Sequence, residues 1–172
     1  IIVMWGGNPA STQVNFMKHI QESRKKNKAL FIVVDPYLNR TAKLADLHIK
    51  IRPGTDGALA CAIMHYIIKF EKEDKKYLEK YTKDYKLLQS HLKEKTPSWA
   101  EKITGVPAET ICKFSKLLCE ISPSYFRLGY GFSRQRNGSF NMHAVTCIPT
   151  LLGSWKYKGG GAFYSNSDIY NI

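Results

Sequence analysis

The sequence has no hydrophobic run long enough to cross a membrane; no apolar stretch approaches the roughly 18 residues required, so no membrane insertion is expected. It also lacks a signal-peptide pattern and an initiator methionine. It opens at Ile1 inside an apolar run, which leads to the expectation of an internal piece of a longer protein. The 4 cysteines, Cys61, Cys112, Cys119 and Cys147, have no Cys-x-x-Cys spacing, so buried structural thiols are expected rather than a metal set. No Gly-x-Gly-x-x-Gly follows the first apolar run, where a nicotinamide-dependent dehydrogenase would carry one. The 5 histidines are scattered and no nucleophile has a partnered base, so no catalytic and no metal-binding residue is assigned. Acids are few, 14 against 26 basic residues, and the net charge of +12 raises the question of an acidic partner.

What the chain does have is a repeated strand–helix–strand pattern over residues 1–56. An apolar run enters Gly6-Gly7-Asn8-Pro9, and an amphipathic segment follows. A second apolar run, Leu30 to Val34, ends on Asp35-Pro36, and a third ends on Pro53-Gly54-Thr55-Asp56. Continuous apolar runs joined by helix-length connections are the signature of buried parallel strands. The expected fold is α/β: a doubly wound, mainly parallel, Rossmann-like sheet, with residues 1–172 as one domain and a helical excursion at about residues 70–121. In such a sheet ligands bind beyond the carboxyl ends of the strands. Gly6 to Thr12, Asp35 to Thr41 and Gly54 to Asp56 should therefore converge on one rim. Glycine admits a ligand to the backbone, helix N-termini offer N–H groups, and an acid after the second strand suits a ribose hydroxyl or a guanine edge. The pattern alone points to a nucleotide.

Helix spacing places the first helix at about Ser11 to Lys26, with Val14, Met17 and Ile20 inward and Asn27 as a left-handed cap. Leu38 to Asp46 should hold a helical turn, where Asp46 suits either a turn or a ligand-facing role. Thr55 and Asp56 could instead cap the helix that follows. That helix, Ala58 to Ile68, is apolar nearly all round and should be buried. Tyr77, Tyr81, Tyr85, Leu88 and Leu92 form one apolar stripe in a lysine-rich excursion. Ile111, Phe114, Leu118 and Ile121 mark a packed helix starting near Pro107. Tyr125 to Leu128 is a strand running into Gly129-Tyr130-Gly131, and Phe140 to Leu152 is the last helix, with His143 a packing residue. After Gly159 a loop is expected.

Trp5-Gly6-Gly7-Asn8-Pro9-Ala10-Ser11-Thr12-Gln13, Val34-Asp35-Pro36 with Arg40-Thr41-Ala42 and Ala45-Asp46, and Ile51-Arg52-Pro53-Gly54-Thr55-Asp56-Gly57-Ala58-Leu59 resemble blocks of the molybdopterin oxidoreductases of the dimethyl sulfoxide reductase family, in that family's order. Thr96 to Ala100, Ile103 to Ile111, Gly129 to Arg134 with Asn137-Gly138, and Gly153 with Gly159-Gly160-Gly161 extend the resemblance over nearly the whole chain. It implies a domain holding bis(molybdopterin guanine dinucleotide), with molybdenum or tungsten in the parent protein. The metal ligand, and any iron–sulfur cluster, would lie in upstream domains missing here, and the resemblance leaves room for an iron–sulfur electron-transfer subunit as partner. Carried over by position, Trp5, Gly6, Gly7, Asn8, Pro9, Ser11 and Thr12 would wrap pyrophosphate and ribose. Asp35, Pro36 and Asn39 would meet the guanosine, and Gly54, Thr55 and Asp56 would close that end. Tyr130, Ser133 and Arg134 would approach pterin or phosphates. Tyr37-Leu38-Asn39 departs from the family, many members of which carry a basic residue straight after the proline. The parent would exchange an oxygen atom or an electron pair with a small substrate, in the cytoplasm or the periplasm, and this piece alone should not turn over.

Two other readings remain: a nicotinamide-dinucleotide-binding domain and a basic nucleic-acid-binding module. The first lacks its glycine fingerprint. The second is weakened by the acids mixed among the lysines between Lys69 and Lys95, which favour a solvated face and no nucleic-acid partner.

Overall fold

Five short runs of β-branched and aromatic residues form the strands β1 (Ile2–Trp5), β2 (Phe31–Val34), β3 (Leu47–Ile49), β4 (Tyr125–Leu128) and β5 (Gly161–Tyr164). The computed structural model describes residues 1–165. All strands pair in parallel, in the order β3-β2-β1-β4-β5. The register sets Trp5 opposite both Val34 and Leu128, so the carboxyl ends of the three central strands finish level. From β1 the chain winds outward through β2 to β3, then returns past β1 to β4 and β5. The reversal leaves a switch point between β1 and β4, where connecting loops leave in opposite directions.

Helices and a turn connect the parallel strands. Between β1 and β2 run α1 (Pro9–Thr12) and α2 (Val14–Asn27), and between β2 and β3 a 3-10 turn, Ala42–Leu44. Between β3 and β4 lie α3 (Asp56–Lys69), α4 (Lys75–Tyr81), α5 (Tyr85–Leu92), α6 (Pro97–Thr104) and α7 (Ala108–Glu120). Helices α8 (Tyr130–Ser133) and α9 (Gly138–Leu151) join β4 to β5. Alternation along each strand divides the core in two. Met4, Phe31 and Val33 pack with Met17 and Ile20 of α2 and with Ala42. Val3, Trp5, Ile32, Val34, Ile49, Phe126 and Leu128 pack with α3, α6, α7 and α9. Helix α3 lies against α5, α6, α7 and α9, which is why it is apolar all round: Leu59, Ile63, Met64 and Ile67 are all buried.

The departures from the sequence expectations have local causes. The first helix is two pieces broken at Gln13, which sits at φ −143°, ψ 59°. Its left-handed cap is Lys28, one residue beyond Asn27, and Val14 is 66% exposed because the break turns it off the core stripe. The tyrosine stripe is not continuous: Asp84 takes a left-handed conformation and splits it into α4 and α5, leaving Tyr81 exposed while Leu78 is buried. Ile121 ends α7 exposed, and His143 is exposed on α9 rather than packed. The segment after Gly159 is not a loop but the edge strand β5, held by ladder bonds to β4 and by buried Ala162; its end beyond residue 165 lies outside the described residues. The cysteines are half-buried, and burial pushes every thiol up, Cys119 to about 11, which favours the protonated form. Among the described residues no helix is long and apolar enough to cross a membrane.

Replacing Ile63, fully buried in α3, by Ala should cost about 2–5 kcal/mol in chemical denaturation. Val14→Ala on the exposed side of α2 should stay within about 0.5 kcal/mol of the parent. A comparable loss at Val14 would contradict the break at Gln13.

Candidate functional site at the strand carboxyl ends

The first loop leaves β1 through Gly6, whose φ of +67° disfavours any side chain. Its N–H donates to Val34 O at 2.9 Å, so the loop begins fixed to β2. Across the switch point Gly129 N–H donates to Trp5 O at 2.8 Å and Gly131 N–H to Gly6 O at 3.1 Å. A Cβ on Gly129 would stand 2.2 Å from Gly6 O, and one on Gly131 would stand 2.8 Å from it. The glycines of this Gly-x-Gly are thus required by the approach of two protein loops, not by the approach of a ligand.

Side chains tie the remaining rim segments together. Thr41, fully buried, donates its hydroxyl to Asn8 Oδ1 at 2.8 Å and accepts from Ala10 N–H at 3.0 Å, joining the loops after β1 and β2. Asn8 Nδ2 donates to Ser11 Oγ at 3.2 Å, while the Asn8 carbonyl accepts from Ser11 N–H and from the N–H and hydroxyl of Thr12. Trp5 lies wholly in the core between Phe114 and Phe132, and its indole N–H donates to Asp56 Oδ1 at 2.7 Å. Asn137 Nδ2 donates to Gly54 O at 3.0 Å, and Asn141 Oδ1 accepts from Gly57 N–H at 3.0 Å, which fixes the entry to α3 against α9.

Two adjoining clefts open on this rim, with about 600 and 760 Å³ of empty space including the part open to solvent. They share Gly6 and Gly131. The switch-point cleft is lined by Gly7, Asn8, Pro9, Thr12, Gln13, Arg127, Gly129 and Tyr130. Among the described residues the N–H groups of Gly7 and Asn8 have no acceptor. The neighbouring cleft lies between Asp35-Pro36-Tyr37, Pro53-Gly54 with Asp56, and Phe132 with Gln135.

Of the residues singled out in sequence, Gly6, Gly7, Asn8, Pro9, Thr12, Asp35, Pro36, Gly54, Asp56 and Tyr130 line these clefts. Trp5, Ser11, Asn39, Thr55, Ser133 and Arg134 do not. Asn39 Oδ1 accepts from Ala42 N–H at 2.9 Å and so caps the 3-10 turn. Thr55 makes no side-chain cap; its hydroxyl donates to Arg52 O at 2.7 Å. Ser133 Oγ donates to Tyr130 O, and Arg134 is exposed over the Tyr130 ring at 5.8 Å. Asp46 accepts from Phe31 N–H at 2.8 Å and pairs with Arg24, which makes it a structural turn residue. Sequence reasoning missed Tyr37, Arg127 and Gln135. Only Arg127 carried a signal, a lone charge inside an otherwise apolar strand.

Both acids are displaced toward neutrality. Burial raises the Asp35 carboxyl above its ordinary value of 3.8, partly offset by the Tyr37 N–H bond at 2.9 Å. Burial likewise raises Asp56 above 3.8, against the bond from Trp5. Among the described residues no three of His, Cys, Asp and Glu converge to hold a metal ion.

A folded state that holds the Asp56 proton more tightly than the unfolded chain is favoured most below pH 3.8, and that advantage is lost as pH rises through the higher folded value. Asp56→Asn still accepts from Trp5 and carries no charge, so it should flatten part of that decline in denaturation measured from acid to neutral pH. An unchanged slope would refute the assignment. Asp56→Ala, which orphans a buried indole N–H, should cost about 1–3 kcal/mol.

Gly129→Ala should cost about 2 kcal/mol or more, because its Cβ meets backbone at 2.2 Å. Gly7→Ala meets the buried Met4 side chain at 2.8 Å and not a backbone oxygen, so it should cost less than Gly129→Ala. Equal thermal destabilisation by the two would contradict the joint.

A model of the molybdopterin oxidoreductase family matches residues 1–170. A probable oxidoreductase, YoaE, of Bacillus subtilis is 39% identical over 169 residues, covering 98% of this chain and 25% of the relative. A probable dimethyl sulfoxide reductase chain, YnfF, of Escherichia coli is 35% identical over 185 residues, covering 94% and 23%. The acetylene hydratase of Pelobacter acetylenicus superposes with a TM-score of 0.80 at 23% identity over 93% of this chain and 22% of its own, a likeness of fold. The chain thus spans about a quarter of the length of these relatives.

Proposed function

Because the chain belongs to the molybdopterin oxidoreductase family, we propose that it is the part of its protein that holds the guanine dinucleotide end of bis(molybdopterin guanine dinucleotide). The observation that carries the reading is the pair of clefts sharing Gly6 and Gly131 at the switch point, one bordered by unpartnered N–H groups and the other by an acid. Such a donor set fits a pyrophosphate beside a nucleoside.

Gly6, Gly7, Asn8, Pro9 and Thr12 then take the pyrophosphate and ribose, with Ser11 holding Asn8 in place. Asp35 and Pro36 meet the guanosine, while Asn39 shapes their loop through the 3-10 turn. Gly54 closes over that end. Thr55 and Asp56 act from beneath, Asp56 by fixing Trp5. Tyr130 faces the pyrophosphate cleft, with Ser133 and Arg134 toward the pterin side. When bound, the cofactor's molybdenum or tungsten supplies the exchange of an oxygen atom or an electron pair with a small substrate. This chain's own residues bind, orient and exclude water, and the further domains of the longer protein complete the reaction site.

The test is a thermal melt of the protein with GDP, ADP, NAD or a short DNA oligonucleotide. GDP at about 100 times its Kd should stabilise by about 2.7 kcal/mol and exceed the other ligands. A larger shift with NAD would favour the nicotinamide reading, and a shift with DNA alone at low salt would favour the basic-module reading. Either result, or no shift with GDP, counts against the guanine assignment.

A further inference from the structure

The side chain that sequence reasoning chose for the phosphates is not the cation in the cleft. Arg134 is exposed, lies over Tyr130 and lines neither cleft. Arg127 lines the switch-point cleft, and no other residue lining either cleft is cationic. It is the third residue of β4, between Phe126 and Leu128, both buried, and is itself half-buried. One guanidinium nitrogen, Nη1, donates to Leu128 O at 3.0 Å and Phe163 O at 3.4 Å, which turns the group toward the carboxyl ends of β4 and β5. Its other donors have no acceptor, and no carboxylate pairs with it, among the described residues.

A half-buried charge in mid-strand costs desolvation that two carbonyl bonds offset only in part. Guanidinium geometry is suited to the forked recognition of phosphate oxygens. Across the same cleft stand Gly7 and Asn8 with unpartnered N–H groups, on the first loop that the glycine joint holds against β4. We infer that Arg127, with the N–H groups of Gly7 and Asn8, forms an oxyanion site at the switch point that takes the phosphate oxygens of a pyrophosphate-containing ligand. The identity of that ligand as a guanine dinucleotide rests on the proposed function; the anion site rests on the geometry.

Calorimetric titration in phosphate-free buffer separates the two. The ligands are GDP, guanosine and inorganic pyrophosphate; the proteins are the parent, Arg127→Gln, Arg127→Lys and Arg136→Gln. Arg127→Gln should weaken GDP and pyrophosphate about 10- to 100-fold and leave guanosine unchanged. Arg127→Lys should fall between, since it keeps the charge without the fork, and it remains the test if the glutamine variant does not fold. Arg136→Gln, at an exposed arginine that lines neither cleft, should change GDP binding less than about 3-fold. Pyrophosphate binding that depends on Arg127, without any guanosine or GDP preference, would uphold the anion site and remove the guanine reading. GDP binding unaffected by Arg127→Gln would overturn the anion site and leave the guanine reading standing. Absence of pyrophosphate binding by the parent, or equal loss of guanosine and GDP in the variant, would also overturn it.

Discussion

Everything at the rim depends on one contact, the meeting of Gly6-Gly7 with Gly129 and Gly131 backbone to backbone. Parallel pairing brings the ends of β1 and β4 level, and loops leaving them in opposite directions would normally splay apart. Here two N–H···O bonds continue the pairing past the strand ends. The continuation is possible only where no Cβ intervenes, since a methyl at 129 would sit at 2.2 Å from a carbonyl oxygen. Opening that joint would separate the walls of the switch-point cleft and part the wall shared with its neighbour.

The second consequence concerns which groups are left for a ligand. The side chains of Asn8, Thr41, Asn39, Thr55, Asn137 and Asn141 all bond within the protein. They hold the loops in place before any ligand arrives, so binding need not bear the entropy of ordering them. What remains unsatisfied is mostly backbone. A site read this way tolerates varied side chains at its lining provided the glycines and the polar ties stay.

The sheet was legible in the sequence because fully buried parallel strands are unbroken apolar runs, and α3 because it is apolar all round. β5 was not: Gly161-Ala162-Phe163-Tyr164 is too short and too glycine-rich to read as a strand, and the ladder to β4 gives it its form. The rim was legible as three loops, since turn residues after each strand mark it. Division of labour within it was not. Trp5 and Asp56 are 51 positions apart, and nothing in spacing says that an indole beneath the rim claims that carboxylate. Ser11, Ser133 and Arg134 are expected at the cofactor from their places in the resemblance, and nothing in spacing says that all three stand off the two clefts.

Net charge misleads for a related reason. The formal +12 comes largely from lysines outside the rim, many of them on α4, α5 and their flanks. Helix α3 starts at the rim and has 14 residues, so it carries the chain about 21 Å away. The excursion begins where Asp74 N–H donates to Leu151 O, at the far end of α9. The excursion then packs along α3, where Leu92 O accepts from His65 Nδ1, and no lysine lines either cleft. It is therefore the position of Arg127, the one cation lining the clefts, beside two N–H groups without acceptors among the described residues, and not the charge total, on which the inferred anion site rests.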